Sequence, residues 1–357
     1  MNSLRQKLLI AIASILLLLC GLEGFARIFL GVQPKAERFQ LSHQLGWEWT
    51  PGYDTVETYH GVDYRMTISD QGLRNEEIAV PKPPNTYRII AVGDSVTEGP
   101  GVELSGTFVK LLERSLRTAN LARKIEVVNA GIGDYGTQQE LIWLRERGLA
   151  YEPDLIILDI YLNDSRSFTP PPASVAILHN FFIRRSAFYS FYYNAVRQQR
   201  VVQTEASPDF RFRFGQAWES RAWITDSDVL THVIQEADQD WGLAWNDQSL
   251  ATIEDNLTQI IQIANNRGIG LLLVIFPVDV QIYTQVDSAL GLDRPQQGLV
   301  AFAQRQNVPV LDLLPVLRAH RDQDLFYDLA HLKPKTHQLV ADAILQALYE
   351  HQLVPQP

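Results

Sequence analysis

The sequence predicts a three-layer α/β domain of the flavodoxin-like kind, built on a parallel sheet and preceded by an apolar N-terminal helix. Two patterns carry that expectation. Short apolar runs ending in Gly or Asn alternate with segments whose apolar residues recur at helical spacing, which means strands covered on both faces by helices. The first thirty residues, moreover, are apolar behind a basic flank. With 357 residues and 46% hydrophobic content, the chain can bury one large core or two small ones. A formal charge of −10 leaves no basic face for a nucleic-acid partner. The single cysteine, Cys20, lies inside the N-terminal apolar run, so the folded part has neither a disulfide nor thiolate chemistry.

Residues 1–31 read as a signal anchor, a transmembrane helix. Arg5 and Lys7 precede a run that is apolar from residue 8 to 22, and the stretch 8–30 reaches the roughly 20 residues needed to span a bilayer by taking in Glu23 and Arg27 at its outer end. A core helix would show a polar face, and this run has none. The basic flank places the rest of the chain outside the cytoplasm, in a periplasm or at a cell surface. Gly24 and Ala26, on either side of Phe25, offer the competing outcome of a cleaved signal peptide. Residues 32–84 form an N-terminal extension, aromatic and polar, in which 53–68 alternates like edge strands. It shows no pattern that carries chemistry.

Residues 85–351 hold the α/β pattern. A strand at 89–92 ends in Gly93-Asp94-Ser95, and a helix follows over 108–116. The strand 125–128 ends in Asn129-Ala130-Gly131 and leads to a helix over 138–149. The strand 154–160 ends in Tyr161-Leu162-Asn163-Asp164. An insertion at about 165–248 interrupts the alternation. It is rich in aromatic residues and Arg at 181–185, 188–193 and 210–214, and reads as a helical insert packing a small core of its own; a lid and a membrane-surface segment are the alternatives. The pattern then resumes with a helix over 250–266 closed by Gly268, strands at 271–276 and 308–311, and a last helix that Pro334 opens and that runs to 348.

Acyl transfer needs a nucleophile, a base to take its proton, an orienter for that base and donors for the oxyanion. In an open α/β sheet the crevice lies outside the carboxyl ends of the strands, where Ser95 falls. His331 stands just before the last helix as the base candidate, and Asp328, three residues earlier, can hold its tautomer. Asn163, at a neighbouring strand end, carries an amide able to donate to an oxyanion. No Gly-x-Ser-x-Gly elbow occurs, so the α/β-hydrolase arrangement is not expected.

These motifs, in this order at strand ends, resemble the SGNH (GDSL-type) hydrolases over about residues 87–348, the insertion excepted. The resemblance implies that Ser95 in Gly93-Asp94-Ser95 is the nucleophile. It implies that Asp328 and His331, in Asp328-Leu329-Ala330-His331, complete the triad, and that the oxyanion hole is made by the Ser95 N–H, the N–H at Asp134 and the Asn163 amide. Two further stretches, 68–74 and 129–137, are similar to a membrane-anchored bacterial subgroup. Two positions depart from the family pattern: Tyr161 stands where the third block begins with Gly, and Asp134 where the second block has Gly. A carboxylate there has to point away from a developing oxyanion.

The function expected is therefore a serine esterase acting through an acyl-enzyme. Its substrate is an O-acetyl or other acyl ester, as a small molecule or on an extracytoplasmic glycan or lipid. An O-acyltransferase with the same triad, and a catalytically silent glycan-binding or assembly protein on this scaffold, are the alternatives. Neither a cofactor nor a metal is expected, since the eight histidines lack metal-ligand spacing. The partners are the ester substrate and, through the N-terminal helix, the membrane. Glu98 reads as an exposed loop residue, and His337 as a surface histidine or one just behind the site.

Overall fold

A computed structural model describes residues 2–119, 123–166, 168–205, 216–238 and 240–355. In chain order its strands are β1 (Phe39–Ser42), β2 (Gly46–Trp49), β3 (Asp54–Tyr59), β4 (Val62–Thr67), β5 (Thr86–Gly93), β6 (Lys124–Gly131), β7 (Leu155–Ile160), β8 (Gly270–Ile275) and β9 (Val310–Asp312). The last five are the five apolar runs of the sequence. They form one parallel sheet in the order β6-β5-β7-β8-β9, the flavodoxin-like order, whose switch point puts the ligand crevice at the end of the first strand. That first strand is β5.

β5 and β7 are buried almost throughout, as continuous apolar runs in a sheet covered on both faces must be. Alternation then divides the side chains. Ile89, Ala91, Val127, Ile157 and Val274 join one core with the helices Phe108–Thr118, Leu313–Arg318 and Pro334–Glu350. The opposite face carries Ile90, Val92, Leu158 and Leu273, with the helices Thr137–Glu146, Asp247–Arg267 and Arg294–Gln306 on that side.

The chain divides into two compact units, one of residues 1–50 with 170–211, the other of residues 51–169 with 212–357. The insertion is accordingly not a single body with its own core. Its helices Ala173–Ile183 and Ala187–Glu205 belong to the first unit. From residue 216 onward it joins the sheet unit, where Trp223, Leu230, Ile234, Trp241 and Trp245 are buried in the same core as the strands. Three large indole-bearing anchors bury enough apolar surface to draw this part onto the sheet domain. The aromatic and Arg-rich stretch 210–214 lies outside the described residues. The N-terminal extension likewise divides at residue 50: β1 and β2 pair in the first unit, β3 and β4 in the second.

Two glycines let the strand ends close up. Gly93 and Gly131 are register partners on β5 and β6. A Cβ on Gly131 would stand 2.2 Å from the Glu98 nitrogen and 2.6 Å from the Thr97 carbonyl carbon; one on Gly93 would stand 2.5 Å from both Asp159 Cβ and Thr97 Oγ1. At Gly131 the obstacle is backbone, which has no rotamer to give. Gly131→Ala is therefore expected to cost about 3 kcal/mol by overpacking, read as a fall in the thermal unfolding midpoint and accompanied by loss of any activity that depends on Ser95.

Candidate active site

Ser95 opens the short helix Ser95–Glu98, whose N-cap is Asp94: its Oδ1 accepts the Val96 N–H at 2.8 Å. From residue 88 to 102, Ser95 alone is not buried. The turn behind it is held from several sides. Asn129 Nδ2 donates to the Thr97 carbonyl at 2.8 Å, Thr97 Oγ1 donates to Asp159 Oδ2 at 2.7 Å, and Glu98 Oε2 accepts the Gly133 N–H at 3.0 Å. Arg74, fully buried, donates to the carbonyls of Glu98, Gly99 and Val102. Gly99, at φ 81°, supplies the left-handed residue that ends so short a helix.

The loop that carries Asp328 and His331 is closed on itself. Phe326 bridges Leu332, the Tyr327 N–H donates to the His331 carbonyl at 2.7 Å, and the Lys333 N–H to the Leu325 carbonyl at 2.9 Å. Asp328 Oδ1 accepts the N–H groups of Ala330 and His331, each at 2.9 Å. The Asp279 N–H, from the segment after β8, donates to the Leu329 carbonyl at 2.9 Å. This closure sets the imidazole between acid and serine. His331 Nδ1 lies 2.8 Å from Asp328 Oδ2, and Nε2 lies 2.8 Å from Ser95 Oγ. A ring nitrogen facing a carboxylate carries the proton, which leaves Nε2 as an acceptor toward the serine hydroxyl.

The charges agree with that reading. Burial acts to raise the Asp328 carboxyl, but the hydrogen bond and charge of His331, with the Tyr59 hydroxyl, hold it well below the usual carboxylate range. Burial acts to lower His331, and the hydrogen bond and charge of Asp328, with the charges of Asp94 and Asp134, hold it above the ordinary imidazole value.

A family model for GDSL-like lipases and acylhydrolases matches residues 91–339, a span that takes in Ser95, Asp134, Asn163, Asp328 and His331. The chain belongs to that family. It is an ester-hydrolysing enzyme of the GDSL type. Among solved structures it is similar to a lipase/acylhydrolase from Enterococcus faecalis, at 16% identity over 74% of this chain and 96% of that one, with a TM-score of 0.43. It is similar also to the acetyl xylan esterase AlAXEase (16% identity, 73% of this chain and 99% of that one, TM-score 0.43). A third is the acetylxylan esterase Axe2 from Geobacillus stearothermophilus (14% identity, 73% and 94%, TM-score 0.44). No curated protein matches the chain.

In this GDSL-type hydrolase, Ser95, Asp134 and Asn163 follow the ends of three neighbouring strands, with Ser95 after the middle one. Among the described residues, neither the Ser95 N–H, the Asp134 N–H nor Asn163 Nδ2 donates a hydrogen bond. At both departures from the family pattern the side chain turns away from its own backbone N–H. Asp134 adopts a left-handed backbone (φ 64°), which Asp tolerates, and its carboxylate is 76% exposed and pairs with Arg166 at 3.2 Å. The Tyr161 ring is buried in the sheet core, and its N–H is held by Asp164 Oδ2 at 2.9 Å.

Three expectations are corrected. Glu98 is fully buried and braces the β6 loop through Gly133; its helix leaves no exposed position, because the glycines on both sides bring the backbones together. For His337 only the surface reading is overturned: it is buried behind the serine turn, with Nδ1 accepting the Phe108 N–H at 3.1 Å, and burial pushes it down to about 3. The extension, which showed no chemistry in sequence, supplies two residues of the site. Arg74 braces the serine turn, as described. Tyr59, at the end of β3, donates its hydroxyl to Asp328 Oδ2 and lies 2.7 Å from His331 Nδ1. A two-residue loop at positive φ, His60 (46°) and Gly61 (79°), joins β3 to β4 and brings Tyr59 there, with His60 Nε2 3.5 Å from Asp328 Oδ2.

Beneath the serine turn lies a set of carboxyl groups that the sequence did not single out. Burial, with their mutual repulsion, pushes Glu140, Asp159 and Asp164 well above the usual carboxylate range, and burial pushes Asp94 up to about 6. Glu140 has neither oxygen hydrogen-bonded among the described residues, so burial favours its neutral form. A folded-state pKa above the unfolded one means stability that is full below pH ~4 and is lost as pH rises through the raised value. Glu140→Gln is therefore expected to fold normally and to lose less stability than the parent between pH 5 and pH 8. Chemical denaturation at the two pH values measures this.

Proposed function

We propose that the chain is a membrane-anchored serine esterase in which Ser95 is the nucleophile, His331 the general base and Asp328 its orienter. The observation that carries the reading is the unbroken chain Asp328 Oδ2, His331 Nδ1, His331 Nε2, Ser95 Oγ, with both gaps at 2.8 Å. As Ser95 Oγ attacks the ester carbonyl, its proton passes to His331 Nε2. The imidazolium so formed is stabilised by Asp328, which stays ionised. The Ser95 N–H, the Asp134 N–H and Asn163 Nδ2 receive the negative oxygen; each such donor is worth roughly 10²–10³ in turnover. His331 then returns the proton to the leaving alcohol, and water, activated by the same imidazole, deacylates the serine.

The outward carboxylate of Asp134 and the buried ring of Tyr161 favour this reading over a silent scaffold. The helix Asn2–Ile28, whose span Leu4–Ile28 is long and apolar enough to cross a bilayer, anchors the chain in this proposal, with Arg5 and Lys7 inside and the hydrolase outside. The substrate is accordingly an acyl ester met outside the cytoplasm, an O-acetyl group on a glycan or an ester of a lipid.

Ser95→Ala is expected to lower kcat on a chromogenic acetyl ester by at least about 10³-fold with the thermal midpoint unchanged; activity that survives would assign the chemistry to another residue. The acid limb of kcat/KM should fall at a pH above the ordinary imidazole value of about 6.5, because His331 must be neutral to act. Tyr59→Phe keeps the ring but deprives the Asp328 carboxylate of a donor. With less of its charge shared, Asp328 holds the imidazolium more tightly. The variant should lose about tenfold in kcat, as one hydrogen bond to a charged group implies, with KM little changed and the acid limb moved to higher pH.

A further inference from the structure

The exposed apolar surface of the described chain is concentrated. Setting aside the N-terminal helix with Phe29 and Leu30, ten large apolar side chains are exposed; seven of them lie between Val175 and Tyr192, and the other three are the separate valines Val56, Val62 and Val80. Surface patches of this kind mark a docking face. The helix Ala173–Ile183 carries no charged residue and is too short to cross a bilayer.

Its outward face is fixed by what its inward face binds. Asn180 Oδ1 accepts the Leu41 N–H at 3.0 Å and Asn180 Nδ2 donates to the Leu41 carbonyl at 2.8 Å, filling the edge of β1. His179 Nδ1 lies 3.0 Å from the Tyr189 hydroxyl, and Ala176 and Ile183 are buried beside it. With those four turned inward, Val175, Leu178, Phe181 and Phe182 are held outward, and the following helix adds Phe191 and Tyr192. The polar contacts of Asn180 and His179 hold the helix in this rotation.

The joint between the two helices is tied to the outer end of the N-terminal helix. Glu23 accepts from the Ser186 hydroxyl at 2.7 Å, the Ala187 N–H at 2.9 Å and the Phe188 N–H at 3.1 Å, acting as a cap for the helix Ala187–Glu205. Arg27 Nη2 donates to the Arg185 carbonyl at 2.8 Å. Glu23 lies five residues before the end of the span Leu4–Ile28, about 7.5 Å along the axis at 1.5 Å per residue. Interfacial helices bury their apolar faces about 5–10 Å into the headgroup and acyl boundary. The depths coincide. Arg27, bonded to the Arg185 carbonyl, and Arg185, over the Phe181 ring at 4.4 Å, stand at this joint in the arrangement that suits an anionic headgroup layer.

We propose that the helices Ala173–Ile183 and Ala187–Glu205 lie in the interface of the bilayer leaflet from which the N-terminal helix emerges, with the face of Leu178, Phe181 and Phe182 in lipid. This rests on the anchor reading above and is independent of the chemistry at Ser95. The helix pair fixes the chain to the membrane surface at a second point, so residues 1–50 and 170–205 act as one membrane-seated unit.

The test uses the full chain carrying Cys20→Ser, with one cysteine introduced by Ile12→Cys, Leu178→Cys, Phe182→Cys or Lys335→Cys and labelled with a nitrobenzoxadiazole dye. The protein is reconstituted in liposomes of phosphatidylcholine and phosphatidylglycerol with or without a lipid spin-labelled near the headgroup, and ester hydrolysis confirms that each variant is folded. Spin-labelled lipid should at least halve the emission at 178 and 182, and leave that at 335 unchanged. Emission at 178 and 182 that behaves like 335, with position 12 quenched by lipid spin-labelled deep in the acyl chain, overturns the proposal and leaves the anchor standing. Dye shielded from water at 178 and 182 but unaffected by the spin label means that protein covers the face, and also overturns it. If position 12 escapes quenching by lipids labelled deep in the acyl chain, the anchor and the proposal fall together.

Discussion

The site depends on one close approach, that of the turn after β5 to the end of β6. Gly93 and Gly131 have no side chains, so the backbone at Thr97 and Glu98 settles against β6 at a distance that any Cβ would forbid. That contact allows Asn129 to reach the Thr97 carbonyl and Glu98 to reach the Gly133 N–H. It buries every residue of the turn except Ser95. A serine so placed has few rotamers and little backbone freedom left to lose, which is the preorganisation that the proposed attack would use. The cost is borne in electrostatics: the same burial takes Asp94, Asp159 and Asp164 out of water.

Those carboxyl groups and Asp328 show how environment divides one chemical group into two roles. Asp328 is half-covered, accepts two backbone N–H groups and faces His331, so it stays ionised. Glu140 and its neighbours are fully covered with too few donors, so they are held toward the neutral acid. Asp328, which both hydrogen-bonds and charge-pairs with His331, is thus the main carboxylate acting on that imidazole, with smaller contributions from the charges of Asp94 and Asp134.

Much of this was legible from sequence for a physical reason. Strands buried on both faces are apolar throughout, and parallel strands must be separated by helices, so the five strands β5 to β9 and the positions of their ends could be read directly. Ser95 and Asn163 sit within three residues of such an end, and Asp328 and His331 stand on the loop just before the last helix, which Pro334 opens. What sequence did not reveal depends on contacts far apart in the chain. The Tyr59 hydroxyl meets a carboxylate 269 residues later, and its only local sign is the His60-Gly61 turn between two alternating runs. Glu98 has the composition of a surface turn, and only the glycine contacts show that it is enclosed. The insertion looked uniform in its aromatic content, yet its helices from 173 to 205 answer to the N-terminal helix through Glu23, while Trp223, Trp241 and Trp245 answer to the sheet.

The central claim is that His331, set by Asp328 and steadied by Tyr59, makes Ser95 a nucleophile. It is tested most directly by following fluorophosphonate capture through intact mass on the full chain and on His331→Ala, with the modified peptide sequenced. The account predicts one adduct on wild type, carried by the peptide containing Ser95, and capture slower by at least about 10³-fold in the variant. Equal rates in the two proteins, or an adduct on a different serine, would contradict it.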